Sequence, residues 1–409
     1  MPERALAGVK VLEYADLISG PYCSKFLANL GAEVIKVEEP KVGDRSRSVG
    51  PFPNYIPDTE KSGLFLYLNA NKLGITLNAK TETGSAIFKE LVKGVDILVE
   101  NHPPQVMEDA GLDYTPLREI NPHLIMTSIT PFGQNGPYRD YKAYDINSQA
   151  AGGLAYVTGD AEREPLLTPW GQAGYQAALN AAVGTLSALF WREVSGSGQH
   201  VDISVQECIA SILGDVISFY SYMGTVRPRC NTISDLAGVT VWPVDIYECK
   251  DGYVNICVLE PHQWRGFVDL IGNPDWATDP RFEDRRLLYE RTGREEAPDL
   301  GPLIKETLKR YTVDELFHGG QQRRIPITPV NDAQGALTFP QLNERGFFVE
   351  TDHPKAGRLR YPGAPFKLSE TPWSLDRPAP LLGEHNEAVY SGLGYTKKDL
   401  LKMAEAGII

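Results

Sequence analysis

Two rhythms of apolar and polar positions alternate along the first half of the chain. Residues 8–15 (GVKVLEYA) form a short apolar run of strand length, and after the turn ISGPY the stretch CSKFLANLGA shows helical spacing closed by Gly31. AEVIKVEEP is a second strand. Strand, helix and strand within about 30 residues make a βαβ unit, so a parallel Rossmann-like sheet is expected. The scheme repeats after a Pro-, Ser- and Gly-rich loop: ITLN reads as a strand, Thr83 onward as a helix and DILVEN as the next strand. LREINPHLIMTSITPFGQNGPY adds a further unit that ends in a turn-rich loop. Ligands of such sheets bind at the carboxyl ends of the strands, which puts Glu38, Asn101 and the TPFGQNGPY loop at the edge of a site.

The stretch from Tyr144 to Trp191 changes character midway. Asp145 is followed by Gln149-Ala150-Ala151-Gly152-Gly153, small residues that let backbone approach a ligand or a neighbouring element and read as the floor of a site. From Gln172 to about 193, Ala at 173, 177, 178, 181 and 182 with Leu at 179, 186 and 189 predicts a helix with a thin face for close packing. A strand (HVDIS) and one long apolar helix follow. Three segments result: residues 1–220 as a large Rossmann-like domain, 225–330 as a smaller domain and 331–409 as a tail that returns to the first. In the small domain DIYECKDGYVNICVLE reads as an antiparallel pair, with charged helices around 263–271 and 301–318. The tail alternates short strands with Pro turns up to a helix over RPAPLLGEHNEAV.

Composition narrows the chemistry. With 409 residues, 42% apolar and 23% charged, the chain is an ordinary globular sequence, and a net charge of −13 argues against nucleic acid or an anionic membrane as partner. The five cysteines (Cys23, Cys208, Cys230, Cys249, Cys257) show no metal-ligand spacing and read as reduced thiols; no metal site is expected. The N-terminus lacks a signal-peptide core and no run approaches ~18 apolar residues, which makes a cytoplasmic protein the expectation. After the first strand, Ser19-Gly20-Pro21 offers one glycine where a dinucleotide fingerprint needs three, so no nicotinamide or flavin cofactor is expected.

The blocks GVKVLEYADLISGPYCSKFLANLGAEVIKVEEPKVGD, NANKLGITLNAK, DILVEN, INPHLIMTSITPFGQNGPY, YDINSQAAGG, GSGQHVDISVQE, DGYVNICV, HPKAGRLRYPGAPFKLSETP and RPAPLLGEH, in this order over nearly the whole length, resemble the class III CoA-transferases, the CaiB/BaiF family. The resemblance implies a large Rossmann-like domain built from both chain ends, a small α+β domain, and two subunits threaded like linked rings. It also implies a CoA thioester as substrate, with no tightly bound cofactor. An Asp at the start of the helix after 171 would attack the donor thioester, and anhydride and enzyme–CoA thioester intermediates would relay CoA to an acceptor acid. The matching position here is Gly174, and no Asp or Glu lies between 170 and 180. Gln172 is neither ionised nor a competent nucleophile.

Other departures concern CoA. Where the family carries cations for the phosphates, this chain has Ala70, Leu73, Pro103 and Asp109. Lys36, Glu38, Asn71, Lys72, Asn101 and Tyr144 remain as expected binding residues, beside the Arg45/Arg47 pair. Asp145 has two readings: an aid to acyl transfer, or an anchor for the adjacent turn through backbone N–H groups. Asp160, Glu162 and Glu164 belong to a charged loop, Asp202 reads as a buried structural carboxylate, and His385 as a capping or packing residue. His102 is placed near the CoA channel, and no Ser or Cys partner makes a triad. For the family's racemase branch, the His and Asp positions are Tyr144 and Gly174. The reading that results is a subunit of a heteromeric CoA-transferase that completes the site of an Asp-bearing paralogue and is inactive alone. Succinyl-CoA is the expected donor and an aryl-substituted succinate such as benzylsuccinate the expected acceptor. A self-sufficient acyl-CoA lyase or epimerase using another carboxylate, and a non-catalytic CoA-thioester-binding protein, stand as alternatives.

Overall fold

Six parallel strands in the order β3-β2-β1-β4-β5-β6 form the central sheet. They are β1 (Lys10–Tyr14), β2 (Glu33–Glu38), β3 (Lys72–Thr76), β4 (Ile97–Glu100), β5 (Ile125–Thr130) and β6 (His200–Ser204). The structure is a computed structural model that describes residues 4–160, 162–227, 229, 235–236, 239–240, 242–279 and 300–409; Cys230 lies outside them. The strand order reverses between β1 and β4, the place where an open α/β sheet leaves a crevice. The helices that follow the strands are α1 (Ser19–Asn29), α2 (Gly63–Asn69), α3 (Glu82–Lys93), α4 (Pro104–Asp109), α5 (Tyr114–Ile120), α6 (Asp145–Ala151), α7 (Leu154–Val157), α8 (Gln172–Ser195), α9 (Val205–Ser211) and α10 (Gly214–Met223); α1 and α8 pack on one face of the sheet and α3 and α5 on the other.

Local sequence explains these elements. Thr81 accepts from the Gly84 amide to start α3, whose Ile87, Phe88, Leu91 and Val92 are buried against Leu12, Leu98 and Met126 of the sheet. Gly20 is needed where α1 meets the end of β1, because a Cβ there would sit 2.2 Å from that of Ala15. On the other face α8 lays Ala177, Ala178 and Ala181 against Phe26 and Leu27 of α1 and Ile125 of β5, while Thr185 hydrogen-bonds Thr127 at 2.7 Å. Small side chains set that close approach.

Two compact units divide the chain. One is Met1–Ala155, Leu167–Asp215 and Asn343–Ile409; the other is Tyr156–Leu166 and Val216–Leu342. The second has a three-stranded antiparallel sheet of Ile327–Pro329, Tyr253–Cys257 and Val244–Glu248 over a core of Trp264, Phe267, Ile304 and Leu316. The tail enters the first unit at Asn343, with an antiparallel hairpin of Phe348–His353 and Gly357–Pro362.

Several sequence expectations need adjustment. The strand read at ITLN is Lys72–Thr76, shifted toward the amino end so that Lys72 enters the sheet. The single long helix after β6 is two, α9 and α10, broken at Ile212-Leu213 ahead of Gly214. The helix read over 301–318 is also two, Leu300–Leu308 and Val313–Gln322, because Thr312 and Glu315 form a capping box that starts a new one. In the tail, Pro378 and Pro380 keep the chain extended and the helix begins only at Asn386. The Gly-rich floor after Asp145 is itself a helix, α6, and Gly152 at its end lets Ile209 of α9 come close. The described cysteines are free, and no helix among the described residues is long and apolar enough to cross a membrane.

Candidate active site

Two cavities lie at the carboxyl ends of the strands. The first, of about 190 Å³, lies between the loop after β1 and the head of α8, and its wall includes Leu17, Ile18, Ile129, Pro131, Tyr144, Asp145, Gly171 and Gly174. The second, of about 120 Å³, lies over β1, β2 and β3 and is lined by Tyr14, Glu38, Glu39, Leu77, Asn78, Lys80 and His102 among others. Asp16 and Arg45 belong to the walls of both.

Asn101, just past β4, holds the wall between β1 and α1 in shape. Its Oδ1 accepts from the Asp16 amide at 2.9 Å, while its Nδ2 donates to the Asp16 carbonyl and to Ser19 Oγ. Asp16 in turn accepts from the Arg45 amide at 3.1 Å and pairs with Arg45 Nε at 2.8 Å. Burial, and then the neighbouring Asp44 charge, push the Asp16 carboxyl above its ordinary range.

Asp145 has its oxygens occupied. Oδ1 accepts from the amides of Ala173 and Gly174 at 2.9 and 3.3 Å, and Oδ2 accepts from Gln149 Nε2 at 2.6 Å. The residue in the N-cap position of α8 is Gly171, which has no side chain to offer, so a carboxylate from α6 satisfies the first free N–H groups of the long helix. At Gly174 a Cβ would lie 3.2 Å from Ile18 Cγ2 and 3.3 Å from Ile18 Cβ, and at Gly171 it would lie 2.4 Å from Ile18 Cδ1. Ile18 therefore packs into a notch left by two glycines.

Residues 6–386 match CoA-transferase family III. The chain belongs to this family. A subunit of succinyl-CoA:(R)-benzylsuccinate CoA-transferase from Thauera aromatica is 32% identical over 399 residues, 95% of either chain. Succinyl-CoA–D-citramalate CoA-transferase from Chloroflexus aurantiacus is 33% identical over 413 residues, covering 100% of this chain and 99% of that one. A CaiB/BaiF family protein from Brucella suis is similar in structure, with a TM-score of 0.84 at 30% identity, covering 95% of this chain and 99% of that one.

Within this CoA-transferase fold the residues expected to hold CoA divide. Glu38, Asn101 and Tyr144 reach cavity walls. Lys36, Lys72 and Asn71 do not line either cavity. Both lysines are 0% exposed. Lys36 Nζ contacts Glu13 and Asp44, each at 2.7 Å, and the Ala15 carbonyl at 2.9 Å. Lys72 Nζ contacts Glu13 at 2.7 Å, Asn69 Oδ1 at 2.9 Å and the Pro21 carbonyl at 2.8 Å. An ammonium has three donors, and here all three are taken, leaving none for a phosphate. Burial alone would depress the Lys36 amine, yet Asp44, Glu13 and Glu38 lift it above the usual range; burial lowers Lys72 to about 8. Asn71 ties the tail to β3, donating to Asn29 and the Ser374 carbonyl and accepting from the Asp376 amide. Glu38 is salt-bridged to the buried Arg47 at 2.6 Å.

Asp202 is exposed rather than buried, and it holds the loop after β5 by accepting from the Gln134 amide. His385 accepts from the Gly74 amide at 3.1 Å, a packing role along β3. Glu162 and Glu164 are exposed. His102 does line the second cavity, its ring tilted 39° against Tyr14 with centroids 4.1 Å apart, and its buried Nε2 meets no partner among the described residues. Burial, followed by the charges of Lys80, Arg45 and Lys36, lowers His102 to about 4, so it is a neutral imidazole. Sequence reasoning missed Asp16, Ile18 and Lys80. Each follows the carboxyl end of a strand by a few residues, and that position was the available signal.

Proposed function

We propose that this chain is the non-nucleophilic subunit of a heteromeric class III CoA-transferase. It moves CoA from succinyl-CoA to a carboxylic acid of the substituted-succinate kind together with an Asp-bearing paralogue. The observation that carries this reading is Gly174, on the wall of the larger cavity at the head of α8, with its amide capped by Asp145 and the adjoining space filled by Ile18. A covalent route needs a nucleophile, and glycine brings none. The names of two relatives, one of them a subunit, support succinyl-CoA as donor and pairing with a second chain. The outer face of α8 also leaves Val183, Phe190, Trp191 and Val194 exposed, an apolar surface suited to being covered by that paralogue.

The test is native mass spectrometry of the protein purified from its source, followed by hydroxylamine trapping with succinyl-CoA. Co-purification with a related chain that alone becomes modified is the expected result. A homodimer that is itself modified would overturn the reading and identify the nucleophile. A second reading, a self-sufficient acyl-CoA lyase or epimerase, draws on Asp16: its carboxyl lines both cavities and is raised above the ordinary range. The same purification distinguishes it, since turnover of an acyl-CoA by the chain alone would favour Asp16.

A further inference from the structure

We infer that Arg45, held by Asp16 at the wall shared by the two cavities, reads the free carboxylate of a dicarboxylic acyl group whose hydrocarbon body lies in the larger cavity. The inference rests on the reading that the chain binds CoA thioesters, and adds the residue that selects among them. Arg45 uses its Nε on Asp16 Oδ2 at 2.8 Å. Its two terminal nitrogens have no partner among the described residues, and its side chain is 57% exposed. A guanidinium fixed along one edge presents the other as a fork that matches a second carboxylate. Asp16 is a positioning residue here. It is itself fixed, through the paired hydrogen bonds of its backbone to Asn101.

The composition of the larger cavity supplies the second half of the argument. Leu17, Ile18, Ile129, Pro131, Ala143 and Val205 make much of its wall apolar, which favours a hydrocarbon group. Among its lining residues Arg45 is the one cation. The charge of Asp145 is already directed at the amides of α8. An acyl group with a negative end therefore has one strong partner in this cavity, and a neutral acyl group of equal length has none. The anion on Arg45 has two chemical sources, an acyl carboxylate or a phosphate of CoA itself. The carboxylate is favoured because the smaller cavity has a cation of its own, Lys80.

Calorimetric titration of the purified assembly with CoA, butyryl-CoA and succinyl-CoA tests this, since the two acyl groups share a four-carbon chain and differ in the terminal carboxylate. Wild-type protein is expected to bind succinyl-CoA about tenfold or more tightly than butyryl-CoA, the size of one charge-assisted pair. Arg45→Gln abolishes that preference and changes binding of CoA and butyryl-CoA by less than about twofold. Arg45→Lys keeps part of the preference, and Asp16→Ala reduces it. An equal loss for all three ligands in Arg45→Gln would assign Arg45 to a CoA phosphate and overturn the inference, as would a wild-type protein with no preference. Failure of the wild type to bind any of the three would instead overturn the CoA-thioester reading, and the inference with it.

Discussion

Ile18 and Gly174 together decide what the head of α8 can carry. A Cβ at 174 meets Ile18 at 3.2 and 3.3 Å, tighter than ordinary contact, so Gly174→Asp should cost about 1–2 kcal/mol by overpacking. Adding Ile18→Ala should recover much of that loss. Urea unfolding of both variants checks the steric account; a single variant as stable as the wild type would contradict it. Glu100 offers a pH-dependent test. Buried at the end of β4, it is raised from 4.5 to about 7, chiefly by burial. Between those values the folded chain holds a proton that the unfolded chain has released, so stability falls as pH rises through this window. Glu100→Gln removes the titration. Its stability relative to wild type should grow by up to about 3 kcal/mol between pH 4 and pH 8, and a pH-independent difference would show that Glu100 ionises normally.

At the scale of the element, α8 depends on a cap from outside its own sequence. Asp145 on α6 accepts from the second and third amides of the helix, where Gly171 cannot. Asp145→Ala should therefore lower stability by about 1–2 kcal/mol, and Asp145→Asn should retain most of it, as read by thermal unfolding. The body of α8 was legible in the sequence, Gln172 to about 193 against the observed Gln172–Ser195, because alanines at helical spacing carry the pattern. Its cap was not settled by sequence, since nothing in a string of residues says that position 145 lies beside position 173. The same holds for the break between α9 and α10. Apolar periodicity runs through both, and none of the side chains of α10 is buried. At the site, strand-end logic placed Glu38 and Asn101 at an edge where both line a cavity, while the two lysines expected beside them are buried in the sheet instead. A lysine in a strand looks available until the carboxylate that consumes it, here Glu13, is seen beside it.

Across the large unit, that carboxylate is the centre of a buried charge network. Glu13 of β1 pairs with Lys36 of β2 and Lys72 of β3 and accepts from Ser24 of α1. Lys36 extends the network to Asp44, and Arg47 joins Glu38 and Glu60 to the Pro380 carbonyl of the tail. Glu13→Gln would leave the buried Lys72 without a carboxylate partner and Lys36 with Asp44 alone, and should destabilise the fold by about 3–5 kcal/mol. Chemical denaturation checks this, and a loss below about 1 kcal/mol would mean that one lysine discharges instead. Glu13, Lys36, Glu38, Asp44 and Lys72 all fall inside the sequence blocks that make this chain recognisable as kin to the class III transferases. The lineage badge is thus cut from scaffolding, a set of ions that the sheet needs whether or not any thioester is ever opened above it. Any chain that keeps these ions keeps the badge, with or without an acid at the head of α8.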